Sequence, residues 1–457
     1  MQVTRRTALA AALTAASYRR VLGANDRVQV GFIGYGLIGA QHVHDFRAQP
    51  DVDLVALSDC YQPRMQQGLA ACGAGALGYP DFRKLLDDRS IQAVVVSTPD
   101  HWHALITMMA CAAGKDVYCE KPLTLFVREG RWMTQTARRY NRIVQAGTQQ
   151  RSGSHYQEAR ELMQAGYIGG VSSARIGYFR NIMPGYGAPE DGDPPEDLDY
   201  DMWLGPAPKR PYNPKRSLYH FRWFWDYSGG QMTNLGAHDL DIVHWVSGTK
   251  GPSVVSSVGG RFALKEEEDN GETPDTQDAL FQYSDFTVNL GIREAGQGRP
   301  QPYDLEFFGS KGSVAIHRSG FEITGDPKRD PKQTIPTFQG HPVGGPRATS
   351  ERRETTPKSK DLWCEPLKEP GSSDEQFTKH VRNFLNCVKT RERPIADVED
   401  AHRVAAACHL ANISLRLGRR IRWNPDTEEI LDDREASAML ERPYRAPWSS
   451  ELKALLS

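Results

Sequence analysis

The segment Gly34-Tyr35-Gly36-Leu37-Ile38-Gly39 constrains this chain more than any other. It follows the apolar run RVQVGFIG, which reads as a buried strand, and precedes AQHVHDF, whose spacing is helical. In a strand–turn–helix each glycine has a separate task. Gly34 permits the tight turn, Gly36 lets the backbone approach a pyrophosphate, and Gly39 lets helix and strand pack closely. At Leu37 and Ile38 the helix start offers free N–H groups and a partial positive charge. Such a turn also occurs without any ligand. What separates the two cases is a second strand, VDLVALSD, whose Asp59 lies twenty residues beyond Gly39, where a carboxylate accepts hydrogen bonds from ribose hydroxyls. A carboxylate there repels a 2′-phosphate, so NAD is expected over NADP; Arg64 is the nearby group that would tolerate the phosphate.

The alternation continues along the chain. IQAVVVSTP, KDVYCEKP and IVQAGTQ read as strands, separated by helical LITMMACAAG and FVREGRWMTQTARRY. Strands alternating with helices of this length build a doubly wound parallel sheet, here expected over residues 25–150. Ligands on such a sheet lie beyond the carboxyl ends of its strands. Thr98, Pro99, Asp100, His103, Glu120, Lys121 and Gln149 are therefore expected at the cofactor, and Arg151 at the substrate.

In this order and spacing GFIGYGLIG, STPDHWH, CEKP and GGQMTNLGAHDLDIVHW resemble the superfamily of glucose–fructose oxidoreductase, inositol dehydrogenase and their rhizopine-related kin. The resemblance runs from about residue 28 to about 260, with a weaker echo near the C-terminus. It implies an α/β chain: a nicotinamide-binding Rossmann domain, then an α+β domain with a large, mostly antiparallel sheet, and an active site between them. It also implies a homo-oligomer, dimer or tetramer, that pairs open sheets. Lys121 matches the EKP lysine that contacts cofactor and substrate hydroxyl. His238 matches the histidine that acts as acid and base on the carbinol. Asn234 stands where many members carry aspartate, and an amide cannot raise a neighbour's basicity as a carboxylate would. Asp241, one helical turn from His238, is expected to assist or orient it. His103 is matched to the cofactor and His101 to a solvated position, while His220 and His244 read as structural.

The chemistry can be argued from residue types as well. Hydride transfer from a carbinol needs a base for the hydroxyl proton. A lysine beside a positive nicotinamide is depressed by like charge, and a histidine already titrates in the useful range.

Residues 151–457 are expected to form the second domain. HYQEARELMQAGYIGGV reads as helix and turn, then SSARIGYFR as its first strand. Residues 183–230 form a long stretch rich in Pro, Asp, Gly and aromatics; loops of that length are usually functional or disordered, and the aromatics argue against disorder. Trp203, Arg222 and Trp225, with Tyr178, are expected to form the ring faces and hydrogen bonds that a sugar needs. Four later alternating segments fit an antiparallel sheet. A surface arm is expected at about 326–373, then two amphipathic helices, the second capped by Gly418. The tail RPYRAPW is expected to wrap onto a neighbouring copy.

Composition excludes several classes. With 457 residues, net charge -1 and a pI near 6.9, nothing calls for nucleic acid or an anionic membrane as partner. Seven scattered cysteines without a C-x-x-C pair argue against a disulfide framework or a zinc site, and no metal is expected. Residues 1–24 carry Arg5 and Arg6 before an Ala/Leu stretch, the layout of a twin-arginine signal peptide, which predicts a periplasmic or secreted protein without a stable membrane anchor. An exported enzyme meets little free cofactor, so NAD is expected to be held tightly. The reading is an NAD-dependent oxidoreductase acting on a CH–OH group of a sugar, polyol or glycoside. One alternative is an NAD-dependent glycosidase working by transient C3 oxidation and elimination, which the lysine of CEKP disfavours. The other is a non-catalytic sugar or NAD sensor.

Overall fold

The computed structural model describes residues 27–297, 304–328 and 361–457; the expected signal peptide and most of the expected arm lie outside the described residues. Strands β1 (Val28–Ile33), β2 (Val52–Ser58), β3 (Leu77–Tyr79), β4 (Ala93–Val96), β5 (Asp116–Cys119) and β6 (Val144–Ala146) form a parallel sheet in the order β3-β2-β1-β4-β5-β6. Its central strands read as unbroken apolar runs because helices cover both faces: Val30, Phe32, Val94, Val95 and Val96 are fully buried. β3 was not anticipated; its three residues, two of them exposed, carry too little apolar pattern to announce a strand.

The second sheet has ten strands. Its central strand β7 (Val171–Phe179) lies antiparallel to β11 (Leu305–Gly309) and parallel to β10 (Thr287–Arg293). Around these run β8 (Val254–Gly260), β9 (Thr276–Gln282), β12 (Gly312–His317), β13 (Gly320–Gly325), β14 (Leu367–Pro370), β15 (Ile421–Asn424) and β16 (Glu429–Ile430), all paired antiparallel. The mostly antiparallel sheet is thus present, with one parallel pair at its centre. Side chains alternate across it. Ala279 and Phe281 point to the helices Gly236–Ser247 and Val398–Leu417, whereas Val258, Leu280 and Phe308 are exposed on the opposite face. Part of the expected arm is strand: β14 pairs with β13 along Gly320–Ile323.

The C-terminal helices return to the first sheet. Helix Ser373–Thr390 begins at Ser372, whose hydroxyl accepts from the Glu375 N–H, and it buries Val381, Phe384 and Leu385 against Val30, Phe32 and Phe46. Gly418 closes helix Val398–Leu417 in the left-handed region at φ 65°. The tail departs from expectation by folding onto its own chain. Tyr444 Oη donates to Glu129 Oε1 at 2.8 Å, Arg445 pairs with Asp201, and Trp448 packs edge-on to Trp102 at 4.8 Å.

Phe384 is fully buried, with its ring 5.8 Å from that of Tyr118 and 6.2 Å from that of Phe46. Phe384→Ala should therefore cost about 3–5 kcal/mol, read as a lower thermal midpoint in calorimetry.

Candidate active site

The carboxyl ends of β1, β2, β4 and β5 open into a crevice closed on the far side by His238, Arg318 and the 183–230 segment.

At the nucleotide end, Gly34 holds φ 92°, a conformation side chains resist, and a Cβ there would lie 2.9 Å from the Ser97 carbonyl group. A Cβ on Gly39 would lie 2.5 Å from the Gly34 carbonyl oxygen, so this glycine sits behind the turn and lets helix Leu37–Arg47 approach β1. Beside Gly36 there is open space, the nearest atom being Arg64 Nη1 at 3.9 Å. Gly34, Gly36, Leu37 and Ile38 all line the crevice. Asp59 lines it too, and its two oxygens accept from the backbone N–H groups of Tyr35 (2.8 Å) and Tyr61 (2.9 Å). Burial pushes its carboxyl up, against the pull of those donors and Arg64. Asp59 thereby pins the glycine turn to the end of β2. The hydroxyls of Ser97 and Thr98, both on the crevice wall, are buried without a partner among the described residues. Open space at Gly36, free helix N–H groups and two orphaned hydroxyls fit a dinucleotide.

At the other end Glu120 is buried and saturated. It accepts from His42 Nε2 (2.7 Å), Gln149 Nε2 (2.9 Å) and the Lys121 N–H (3.1 Å). Burial alone would raise its carboxyl, but His42 and Lys121 outweigh it and the group lies below its ordinary value. Asp100 accepts from Ser228 Oγ at 2.5 Å, and burial raises its carboxyl. His103 faces the Pro122 carbonyl with Nδ1 and the Thr98 carbonyl with Nε2, each at 2.8 Å. It is a strut between two strand-end turns, with both ring nitrogens used. His101 is not solvated: it is fully buried on the Trp203 carbonyl at 3.0 Å, and burial pushes it down to about 3.

Lys121 extends from the cis Lys121–Pro122 turn and donates to the Asn234 carbonyl oxygen and to Asn234 Oδ1, both at 2.9 Å. Burial lowers the amine to about 8; Arg222 and Arg318 deepen the depression, while Glu120 and Asp100 oppose it. His238, from the first turn of helix Gly236–Ser247, is pushed well below its ordinary value by burial, Lys121 and Arg318. Its Nε2 accepts from Arg318 Nη2 at 3.3 Å, which places the ring proton on Nδ1. A lysine that loses its proton near 8 and a neutral imidazole therefore face one cavity. Among the described residues no cluster of His, Cys, Asp or Glu could hold a metal.

Of the residues expected at the substrate, Trp203 and Arg222 line the crevice and four others do not. Arg151 and Asp241 neutralise each other through two 2.7 Å contacts in the interior, so Asp241 does not orient His238. Tyr178 donates its hydroxyl to Asp239 Oδ2 at 2.5 Å. Trp225 faces Arg416, whose guanidinium lies 5.1 Å from its ring, in a separate small cleft. His244 meets Tyr283 Oη at 2.8 Å in the core. The crevice also recruits Tyr219, Phe221, Phe377 and Arg318, none of which was expected. Arg318 sits in the β12–β13 turn, eighty residues beyond His238, and no motif marks it.

Two family models match. One, described as an oxidoreductase family with an NAD-binding Rossmann fold, covers residues 28–148; its companion, the family's C-terminal alpha/beta domain, covers residues 179–259 and 371–450. The chain belongs to this oxidoreductase family. It is 24% identical over 289 residues to myo-inositol 2-dehydrogenase of Thermotoga maritima, across 63% of this chain and 74% of that one. It is 34% identical over 144 residues to inositol 2-dehydrogenase 1 of Saccharopolyspora erythraea, across 31% of this chain and 43% of the other. GenD2 from gentamicin A biosynthesis, solved with NAD, shares the fold at TM-score 0.60 and 20% identity, covering 87% of this chain and 97% of its own. The protein is an oxidoreductase, and its Rossmann domain binds NAD.

Gly39→Ala places a methyl group against a backbone oxygen that cannot move aside. Overpacking costs of about 1–3 kcal/mol predict NAD affinity weakened roughly tenfold, measured by fluorescence titration.

Proposed function

We propose that this oxidoreductase oxidises a CH–OH carbon of a sugar, polyol or glycoside and keeps its NAD tightly bound. The observation that carries the reading is the convergence of Lys121 and His238, from different lobes, on the crevice that contains the glycine turn. NAD, when bound, accepts the hydride. Lys121, lowered to about 8, can hydrogen-bond the carbinol oxygen or take its proton near neutral pH. His238 stays neutral, and its Nε2, which accepts from Arg318 Nη2 at 3.3 Å, is the second proton acceptor once that contact is released. Asn234 holds the lysine through two acceptors and adds no charge. Trp203 and Phe221 contribute apolar carbon to the crevice wall, which suits the C–H side of a sugar. Relatives named for inositol make polyols and sugars the first substrates to test.

Two wider readings accompany this one. Export is supported by Arg5 and Arg6 before an Ala/Leu stretch, in residues outside those described. Self-association is supported by Val258, Leu280 and Phe308, exposed on the uncovered face of the ten-stranded sheet.

Lys121→Ala and His238→Ala should each lower turnover by about 10²–10⁴-fold while NAD stays bound, as seen by native mass spectrometry. Full activity in both variants would refute the site. Because the unprotonated amine is the competent form, turnover should rise with pH through about 8, and that limb should vanish in Lys121→Ala. A screen of free sugars and polyols beside aryl glycosides, followed at nicotinamide and phenolate wavelengths, tests the reaction type. Phenolate release without net reduction of NAD would replace the dehydrogenase by a redox-assisted glycosidase. Ligand binding with neither signal would leave a sensor.

A further inference from the structure

We propose that the crevice selects a substrate with a carboxylate near its reacting carbinol, a uronic or aldonic acid rather than a neutral sugar, received by Arg318 and Arg222. This deepens the dehydrogenase reading and rests on it for the position of the carbinol.

Three cationic side chains, Lys121, Arg222 and Arg318, line the reactive end of the crevice. Their repulsion is visible in Lys121, which both arginines depress, and in His238, which Lys121 and Arg318 depress. The acidic groups at this end are occupied by the chain itself. Glu120 serves His42 and Gln149, Asp100 serves Ser228, and Asp239 serves Tyr178 and Gln150. Asp304 feels Arg318 electrostatically without forming an ion pair with it.

Among the described residues neither crevice arginine has a carboxylate within ion-pair distance. Arg222 gives Nη1 to the Tyr219 carbonyl at 3.0 Å and lies 4.7 Å from the centre of the Phe221 ring. Among the described residues the Arg318 guanidinium reaches only His238 Nε2, at 3.3 Å. Elsewhere Arg151, Arg180 and Arg216 all have acidic partners. The pyrophosphate of NAD does not need Arg222 or Arg318, since the glycine turn, the helix start at Leu37 and the nearby Arg64 serve that end. Two planar forks left over beside a proton acceptor match a carboxylate in shape and charge.

Arg318 is also held in place. Its own carbonyl accepts from Gln376 Nε2 at 3.0 Å, which ties the β12–β13 turn to helix Ser373–Thr390. Its position has a kinetic consequence. The guanidinium occupies the Nε2 lone pair of His238, which that ring needs to take a proton. A substrate carboxylate that draws Arg318 onto itself frees that lone pair as the acid seats. Acid substrates then gain in kcat as well as in KM.

The test uses full-length protein saturated with NAD. Binding is read by calorimetry and hydride transfer by nicotinamide absorbance, for galacturonate, glucuronate and gluconate against galactose, glucose and sorbitol. At least one acid should bind about tenfold or more tightly than its neutral counterpart, as expected for a charge-assisted contact, and the preference should shrink with salt. Arg318→Gln and Arg222→Gln, each checked for retained NAD and an unchanged thermal midpoint, should lose most of that preference. The assignment is overturned if no acid outbinds its neutral partner, if both variants keep the preference, or if galactose 6-phosphate binds more tightly than any carboxylate. Preferred binding of acids without any nicotinamide signal would retain this assignment and sink the dehydrogenase reading. Oxidation of neutral sugars without acid preference would do the reverse.

Discussion

The placement of the crevice depends on one buried ion pair. Arg151, just past the last parallel strand, meets Asp241 of helix Gly236–Ser247 through two 2.7 Å contacts, and neither side chain is more than 2% exposed. The same guanidinium reaches the Ile395 carbonyl at 3.0 Å and Asp400 at 3.2 Å, so it also ties in helix Val398–Leu417. Burying two charges returns little net stability, but removing one partner from such a pair costs about 3–5 kcal/mol. What the pair supplies is position. His238 lies one turn before Asp241, so the register of that helix against the first lobe sets where the imidazole meets Lys121.

The parts that could be read from sequence are those whose geometry is dictated by residue type within a short span. Gly34 adopts a backbone conformation other residues resist, Gly39 closes a gap too narrow for a methyl group, and apolar runs end in polar residues where the strands stop. All of the residues expected at the cofactor except Gly39 line the crevice, and Gly39 stands directly behind its turn. What stayed hidden is pairing over long separations. Arg151 and Asp241 each looked available to a substrate because nothing local shows that each is the other's counter-ion. Trp225 is likewise committed to Arg416, and Arg318 enters through a hairpin whose register no motif records.

The 183–230 segment shows how an irregular stretch can be well packed. Leu198, Trp203, Leu204, Tyr212, Phe221, Trp223 and Tyr227 build a small core of their own, and Trp223 Nε1 donates to Glu294 Oε2 at 2.8 Å. That burial offsets the entropy of ordering a long loop. Only one side of the segment is left for ligands, through Trp203, Tyr219, Phe221 and Arg222. Aromatic content is thus mainly structural here, with a minority of rings on the cavity.

Asparagine at position 234 follows from the same electrostatics. A carboxylate in contact with Lys121 Nζ would hold the amine in its charged form, adding an attraction to those of Glu120 and Asp100. The amide keeps both acceptor contacts and adds no further carboxylate to the pull of Glu120, so burial prevails and the lysine settles near 8. An amine that loses its proton near 8, beside a neutral His238, can become a proton acceptor as the pH rises, where a lysine–aspartate pair would hold the amine charged. The substitution that looked like a loss of basicity is better described as a change of which group carries the proton.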